Sequence, residues 1–281
     1  MRTFIFFILS LLATRGISVN NNTKIEIPFS LDRNLILIQV NIDAIGNRNF
    51  IFDTGTEGIM LMDSIANNYK VSGLDTIVTP TGEFVGTQEK VEIPKVQISN
   101  LTLEKVTAIK MPRQLLFSKN VIGIIGMQTF VGYMITFDYT NNKLILEKGE
   151  LKKDSTVIPI NLDHLLEANV KLNNKDVLAH FDCGAAGYIS IPKSWNNLYK
   201  LKSELVFLTK GKTPMGDFDV YTSELDGTIE IGDYKISNPK INIVTGDFFY
   251  SINFGYLFFK DHLITVDTKN KLMQIKMLKD K

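Results

Sequence analysis

A single cysteine, Cys183, stands in a chain of 281 residues, which excludes an internal disulfide framework and a thiolate-rich zinc site. Histidine is almost as scarce. His164, His180 and His262 show no ligand spacing, so a metal enzyme is not expected. Neither sign of charge dominates: 31 Lys and Arg against 30 Asp and Glu leave a formal net charge of +1. No long basic run concentrates that charge, which argues against nucleic acid or anionic lipid as the main partner. Beyond the first residues no apolar run approaches the roughly 20 needed to cross a bilayer.

What is present begins with a leader. After Met1-Arg2, the stretch TFIFFILSLLA (3–13) is apolar and too short to span a membrane, the pattern of a secretory signal. Cleavage near 14–18 is expected, giving a signal peptide at 1–18 and a mature chain from about Val19. No cysteine follows the leader, so no lipoprotein anchor is expected. The mature protein is expected to be exported, to the periplasm or the extracellular space, without membrane contact. A lone cysteine suits such an oxidising compartment.

Beyond residue 19 the pattern is strand-like. LILIQVNI (35–42), NFIF (49–52), YMITF (133–137), KLILE (143–147) and TIEIG (228–232) are rich in branched and aromatic residues. Clusters of Asn, Asp, Gly and Pro punctuate them, which predicts an all-β fold. Helical pattern is brief, at 62–69 and 193–200.

The chain also repeats itself. Phe52-Asp53-Thr54-Gly55-Thr56-Glu57-Gly58 returns as Phe181-Asp182-Cys183-Gly184-Ala185-Ala186-Gly187, an offset of 129. Asn67-Asn68 and Asn196-Asn197, Gly126 and Gly255, and Ile135-Thr136-Phe137-Asp138 and Ile264-Thr265-Val266-Asp267 share that offset. Two similar β lobes are therefore expected, at 19–150 and 151–281. Asp-x-Gly alone carries little weight, because chance supplies about one in such a composition. Asp-x-Gly-x-x-Gly is expected about 0.08 times per chain, and it occurs twice, each time after an apolar strand. An aspartate leaving a strand before a glycine sits on a tight loop whose amides can reach its carboxylate. Two such loops related by a pseudo-twofold axis would bring Asp53 and Asp182 face to face. Carboxylates that close share one proton, and the pair can activate a water while protonating a carbonyl.

Asp53-Thr54-Gly55 after NFIF, and Val121-Ile122-Gly123-Ile124-Ile125-Gly126 followed by YMITFDYTNNKLIL, resemble the aspartic peptidases of the pepsin/retropepsin clan. The likeness is greatest to bacterial retropepsin-like proteins with two fused lobes, and it spans nearly all of the first lobe. It implies the acid protease fold, two closed-barrel-like lobes related by duplication, working as an aspartic endopeptidase on a peptide or protein substrate. Asp53 and Asp182 would be the catalytic dyad. Thr54, Gly55, Thr56, Cys183 and Gly184 would support the catalytic loops, with Thr54 and Cys183 linking them. Flap hairpins would carry Thr81, Gly82 and Phe84 in one lobe and Met215, Gly216 and Phe218 in the other. No cofactor and no metal are implied, and a monomer suffices because both lobes lie in one chain.

The chain departs from the family pattern at three places. Cys183 stands for Thr or Ser, Asn253 stands for an apolar residue before Gly255, and no tyrosine marks either flap. A catalytically weak or inactive peptide-binding relative is the alternative that Cys183 and Asn253 suggest. The segments at 79–84 and 213–218 also read as ordinary hairpin turns. A cysteine nucleophile at 183 would need a base, and only His180 lies near it in sequence. His180 itself reads as a packed strand residue in the place of Ile51. Because Thr56 offers a hydroxyl to Asp53 while Ala185 offers none to Asp182, the shared proton is expected mainly on Asp182.

Overall fold

A computed structural model describes residues 17–18, 24–78, 84–111, 121–213, 216–246 and 249–278. Of the expected leader, 1–16 lie outside the described residues, as do Thr81, Gly82 and Met215 of the expected flaps. Strands hold 61% of the described residues and helix 7%, which makes the protein all-β. Among the described residues no helix is long and apolar enough to cross a membrane.

Period-two alternation produces these strands. In Leu35–Ile42, Ile36, Ile38, Val40 and Ile42 are buried while the residues between them face outward. The helical expectations shrink on inspection. The stretch at 62–69 forms only Asp63–Ala66, and that at 193–200 only a 3-10 turn over Lys193–Trp195. Asn67 and Asn68 end the first helix, their amides donating back to the Asp63 and Ile65 carbonyls. Asparagine is a weak helix former and readily closes a turn.

A palindromic set of six antiparallel strands joins the two halves of the chain. Its order is Val157–Pro159, Leu272–Met277, His262–Asp267, Met134–Asp138, Lys143–Glu147, Lys24–Asp32. Thr136 lies directly opposite Thr265, and their hydroxyls are hydrogen-bonded at 2.8 Å. These two threonines are 129 residues apart, so the repeat meets itself here and a pseudo-twofold axis runs between them. The turns that follow repeat as well. Asp138 accepts the Asn141 amide at 3.0 Å, and Asp267 accepts the Asn270 amide at 3.0 Å.

The first lobe is a closed barrel of six strands. Leu35–Ile42, Gly46–Asp53, Val121–Gly126, Ile59–Met62, Leu101–Met111 and Phe84–Ile98 follow in order, and Ile42 pairing with Val96 closes the ring. The two-residue strand Ile17–Ser18 pairs with Leu101–Met111 from outside. The second lobe is a nine-stranded sheet on the same plan. Glu167–Leu172, Lys175–Phe181, Ile252–Phe254, Ile189–Pro192, Lys240–Val244 and Gly216–Glu224 take the corresponding places, with Val206–Thr213 outermost. The path returns to its first strand through Thr228–Ile231, where Glu230 pairs with Lys171. Where the first lobe has two long strands, the second has four short ones. Pro239 cannot donate to a ladder, so the chain breaks between Tyr234–Ser237 and Lys240–Val244. Two bonds stitch across the break: Leu225 N–H to Pro239 O at 2.9 Å and Asn238 N–H to Gly227 O at 2.7 Å.

The interiors are aromatic. Phe52 packs on Phe130 and Phe137, Phe181 stacks on Phe254 at 4.8 Å, and Phe137 meets Phe259 from the other lobe at 5.0 Å. That last contact joins the interiors of the two lobes behind the two Asp-x-Gly loops.

Candidate active site

Asp53 ends the strand Gly46–Asp53, beside Gly126 on the parallel strand Val121–Gly126. Asp182 follows Lys175–Phe181, whose parallel neighbour Ile252–Phe254 runs up to Gly255. Phe52 pairs with Ile125 and Phe181 with Phe254, all related by 129. Both crossings require glycine. A Cβ on Gly126 would lie 1.9 Å from the Thr56 carbonyl oxygen, and one on Gly255 would lie 2.4 Å from that of Gly187. Backbone carbonyls cannot rotate away as a side chain can. Gly126→Ala is therefore expected to cost about 3 kcal/mol or more, checked by urea unfolding. A loss below about 1 kcal/mol would mean that the loop has room to spare.

The loops meet crosswise. A Cβ on Gly55 would touch Asp182 Oδ1 at 2.9 Å, and one on Gly184 would touch Asp53 Oδ1 at 2.6 Å. Each glycine thus gives way to the opposite carboxylate, which sets the two carboxyls face to face. Gly55 N–H donates to Asp53 Oδ1 at 2.8 Å, and Gly184 N–H donates to Asp182 Oδ1 at 2.9 Å. Thr56 Oγ1 donates to Asp53 Oδ2 at 2.9 Å.

Behind them the loops are cross-linked. Thr54, fully buried, donates to Phe181 O at 2.7 Å and accepts from Cys183 N–H at 2.9 Å. Cys183 returns the bond, its thiol donating to Phe52 O at 3.7 Å. The two side chains therefore serve symmetry-related carbonyls, the sulfur over a longer and weaker bond. Burial, then the Asp53 charge, pushes the Cys183 thiol well above its usual range, so it carries no thiolate with which to attack.

Asn253 is the residue whose role sequence reasoning missed. It occupies the place of Ile124, and its Nδ2 donates to Asp182 Oδ2 at 3.3 Å. Asp182 thereby has a side-chain donor although Ala185 supplies none. The premise of the expected asymmetry, that Asp182 lacks a side-chain donor, does not hold. Each carboxyl has one backbone and one side-chain donor, and burial, then the Asp182 charge, raises the Asp53 carboxyl to about 7. The signal was available: a polar residue opposite a lost hydroxyl is a compensating pair.

His180 lies where Ile51 lies in the first lobe, as expected, and burial holds its ring toward the neutral form. Phe84 and Gly216 open strands that close the two hairpins, paired to Val78 and Thr213. Phe218 sits in the hairpin stem with its ring over Gly211 and edge-on to Phe249 at 4.8 Å. Among the described residues no group of three or more His, Cys, Asp and Glu is arranged to hold a metal ion. The chain matches no protein-family model and no curated protein sequence.

Proposed function

We propose that this protein is an exported aspartic endopeptidase in which Asp53 and Asp182 activate a water between them. The observation that carries the reading is the crossed packing of each loop glycine on the opposite carboxylate, with the Asp53 carboxyl raised to about 7. At a pH below that value the pair holds one proton. The ionised carboxyl takes a proton from water while the other gives one to the peptide carbonyl, and no covalent intermediate forms. A peptide would lie extended across the dyad and pair its backbone with the hairpin strands. The titration belongs to the pair, so activity is expected to fall as pH rises through about 7.

The alternative, a binding protein without turnover, drew on Cys183 and Asn253. Asn253 as a donor to Asp182 supports the dyad, which leaves Cys183 as that reading's remaining ground. Cys183→Thr is expected to keep cleavage and to raise stability by no more than about 1 kcal/mol, measured as turnover and thermal midpoint beside Cys183→Ala. Loss of activity with threonine would show that the thiol has a role of its own.

Hydrolysis of a mixed peptide library at acidic pH, with and without a statine-type inhibitor, tests the proposal. Inhibitor-sensitive cleavage, indifferent to serine and cysteine protease reagents, is expected. No cleavage across pH 3 to 7 would overturn it.

A further inference from the structure

The axis that relates the two aspartates also relates the surfaces on either side of them, and these surfaces differ in chemistry. Ile51 and His180 each lie two residues before their aspartate, so each shares its face of the sheet. The opposite faces, with Phe50 and Phe52 in one lobe and Ala179 and Phe181 in the other, fill the barrel interiors. In the first lobe Leu37 stands opposite Ile51, Ile51 beside Ile124, and Met60 opposite Ile124. In the second, Glu167 stands opposite His180, His180 beside Asn253, and Ser190 opposite Asn253. The first row is wholly apolar. The second is wholly polar.

The polar row is also unsatisfied. His180 is 8% exposed and Glu167 9%, yet His180 Nε2 and Asn253 Oδ1 have no hydrogen-bond partner among the described residues. Buried polar atoms are ordinarily paired, and an unpaired one is costly. Both of these atoms can accept a hydrogen bond. Asn253 directs its amide nitrogen at Asp182, leaving its oxygen, and burial holds the His180 ring toward the neutral form, in which Nε2 can present a lone pair. The third group, Glu167, has Oε1 held by the Tyr250 hydroxyl at 2.8 Å. Such a set lacks donors and carries a carboxylate, so it is complementary to a long side chain with an apolar stem and a cationic N–H tip.

We infer that the protein selects peptides with an apolar residue on one side of the scissile bond, against Ile51 and Ile124, and a lysine on the other, against His180, Asn253 and Glu167. This rests on the peptidase reading, which sets the peptide across the dyad.

The test uses four non-hydrolysable hydroxyethylene peptides with leucine or lysine at the two positions flanking the isostere, in all combinations. Binding to the intact protein is measured by calorimetry. One mixed peptide is expected to bind about tenfold more tightly than the leucine–leucine peptide. Norleucine in place of its lysine should abolish the advantage, as should Glu167→Gln. The lysine–norleucine comparison decides even if the variant fails to fold. Tightest binding of leucine–leucine, a lysine advantage intact in Glu167→Gln, or no binding by any peptide would overturn the inference. Cleavage of the matching amide peptides separates the two readings. Turnover without lysine preference sinks this inference alone, whereas lysine-dependent binding without turnover supports it and sinks the peptidase.

Discussion

Asp53→Asn and Asp182→Asn are each expected to lower peptide cleavage by about a thousandfold or more while leaving the fold intact. An amide can neither take the proton from water nor return one to the substrate, so either substitution removes a role that the remaining carboxyl cannot fill. The fold survives because asparagine retains an oxygen where Asp53 Oδ1 accepts from Gly55 N–H and where Asp182 Oδ1 accepts from Gly184 N–H. The Thr56 hydroxyl can rotate to accept from an amide placed at Asp53 Oδ2. The measurement is turnover on any peptide cleaved by the parent, beside circular dichroism and thermal midpoint. Near-parental turnover in either variant would show that the two residues do not act as a dyad. Unfolding of both would show that the carboxylates hold the loops rather than catalyse.

The repeat was legible because it sits in residues that geometry restricts. Gly126 and Gly255 recur since a loop carbonyl crosses each of them, and the aspartates recur since each ends a strand against such a glycine. Ile135-Thr136-Phe137-Asp138 and Ile264-Thr265-Val266-Asp267 recur at the same offset. That they pair with each other is a fact of three dimensions: similarity at a fixed offset carries no statement of contact, and only the register of Thr136 on Thr265 sets the axis. The split in the second sheet was hidden for another reason. Pro239 breaks a ladder wherever it falls, but whether the ends are stitched together, as Leu225 and Asn238 stitch them, depends on how the segment at 225–227 folds back against them.

Asn253 shows a third kind of limit. Read alone, a polar residue in an apolar strand is a departure. Read with Ala185, which lacks the hydroxyl that Thr56 supplies, it is the replacement donor reaching Asp182 from the neighbouring strand. The same strand pairing sets Asn253 beside His180 and His180 opposite Glu167, so the polar row emerges only once the register is known.

The protein is expected to be more stable at pH 5 than at pH 8, the reverse of what a hydrogen-bonded surface aspartate would give. Burial, then the Asp182 charge, raises the folded-state carboxyl of Asp53 from 3.8 to about 7. Between those values the unfolded chain has lost a proton that the folded chain keeps. Stability from this group is therefore complete below about 3.8, declines as pH rises, and levels off above about 7. One full proton of difference would cost about 1.4 kcal/mol per pH unit. Asp53 keeps some exposure to solvent, so screening keeps the observed slope below that ceiling. Asp267 works in the opposite direction. Its burial would raise it, but bonds from Asn270, Leu151 and Lys269 outweigh that and hold it below its usual value of 3.8. The stability it supplies is present above that value and is lost as pH falls below it, so the best window lies between, near pH 4 to 5. Asp53→Asn removes the carboxyl that resists ionisation and should abolish the decline above pH 5. At pH 8 the variant should melt higher than the parent while losing the proposed cleavage, a separation of stability from function. Thermal midpoints at pH 4, 5, 6, 7 and 8 for parent and variant decide this. A flat parental profile, or a variant that melts lower at pH 8, would mean that the two carboxyls do not share a proton, and the mechanism built on that proton would fall with it.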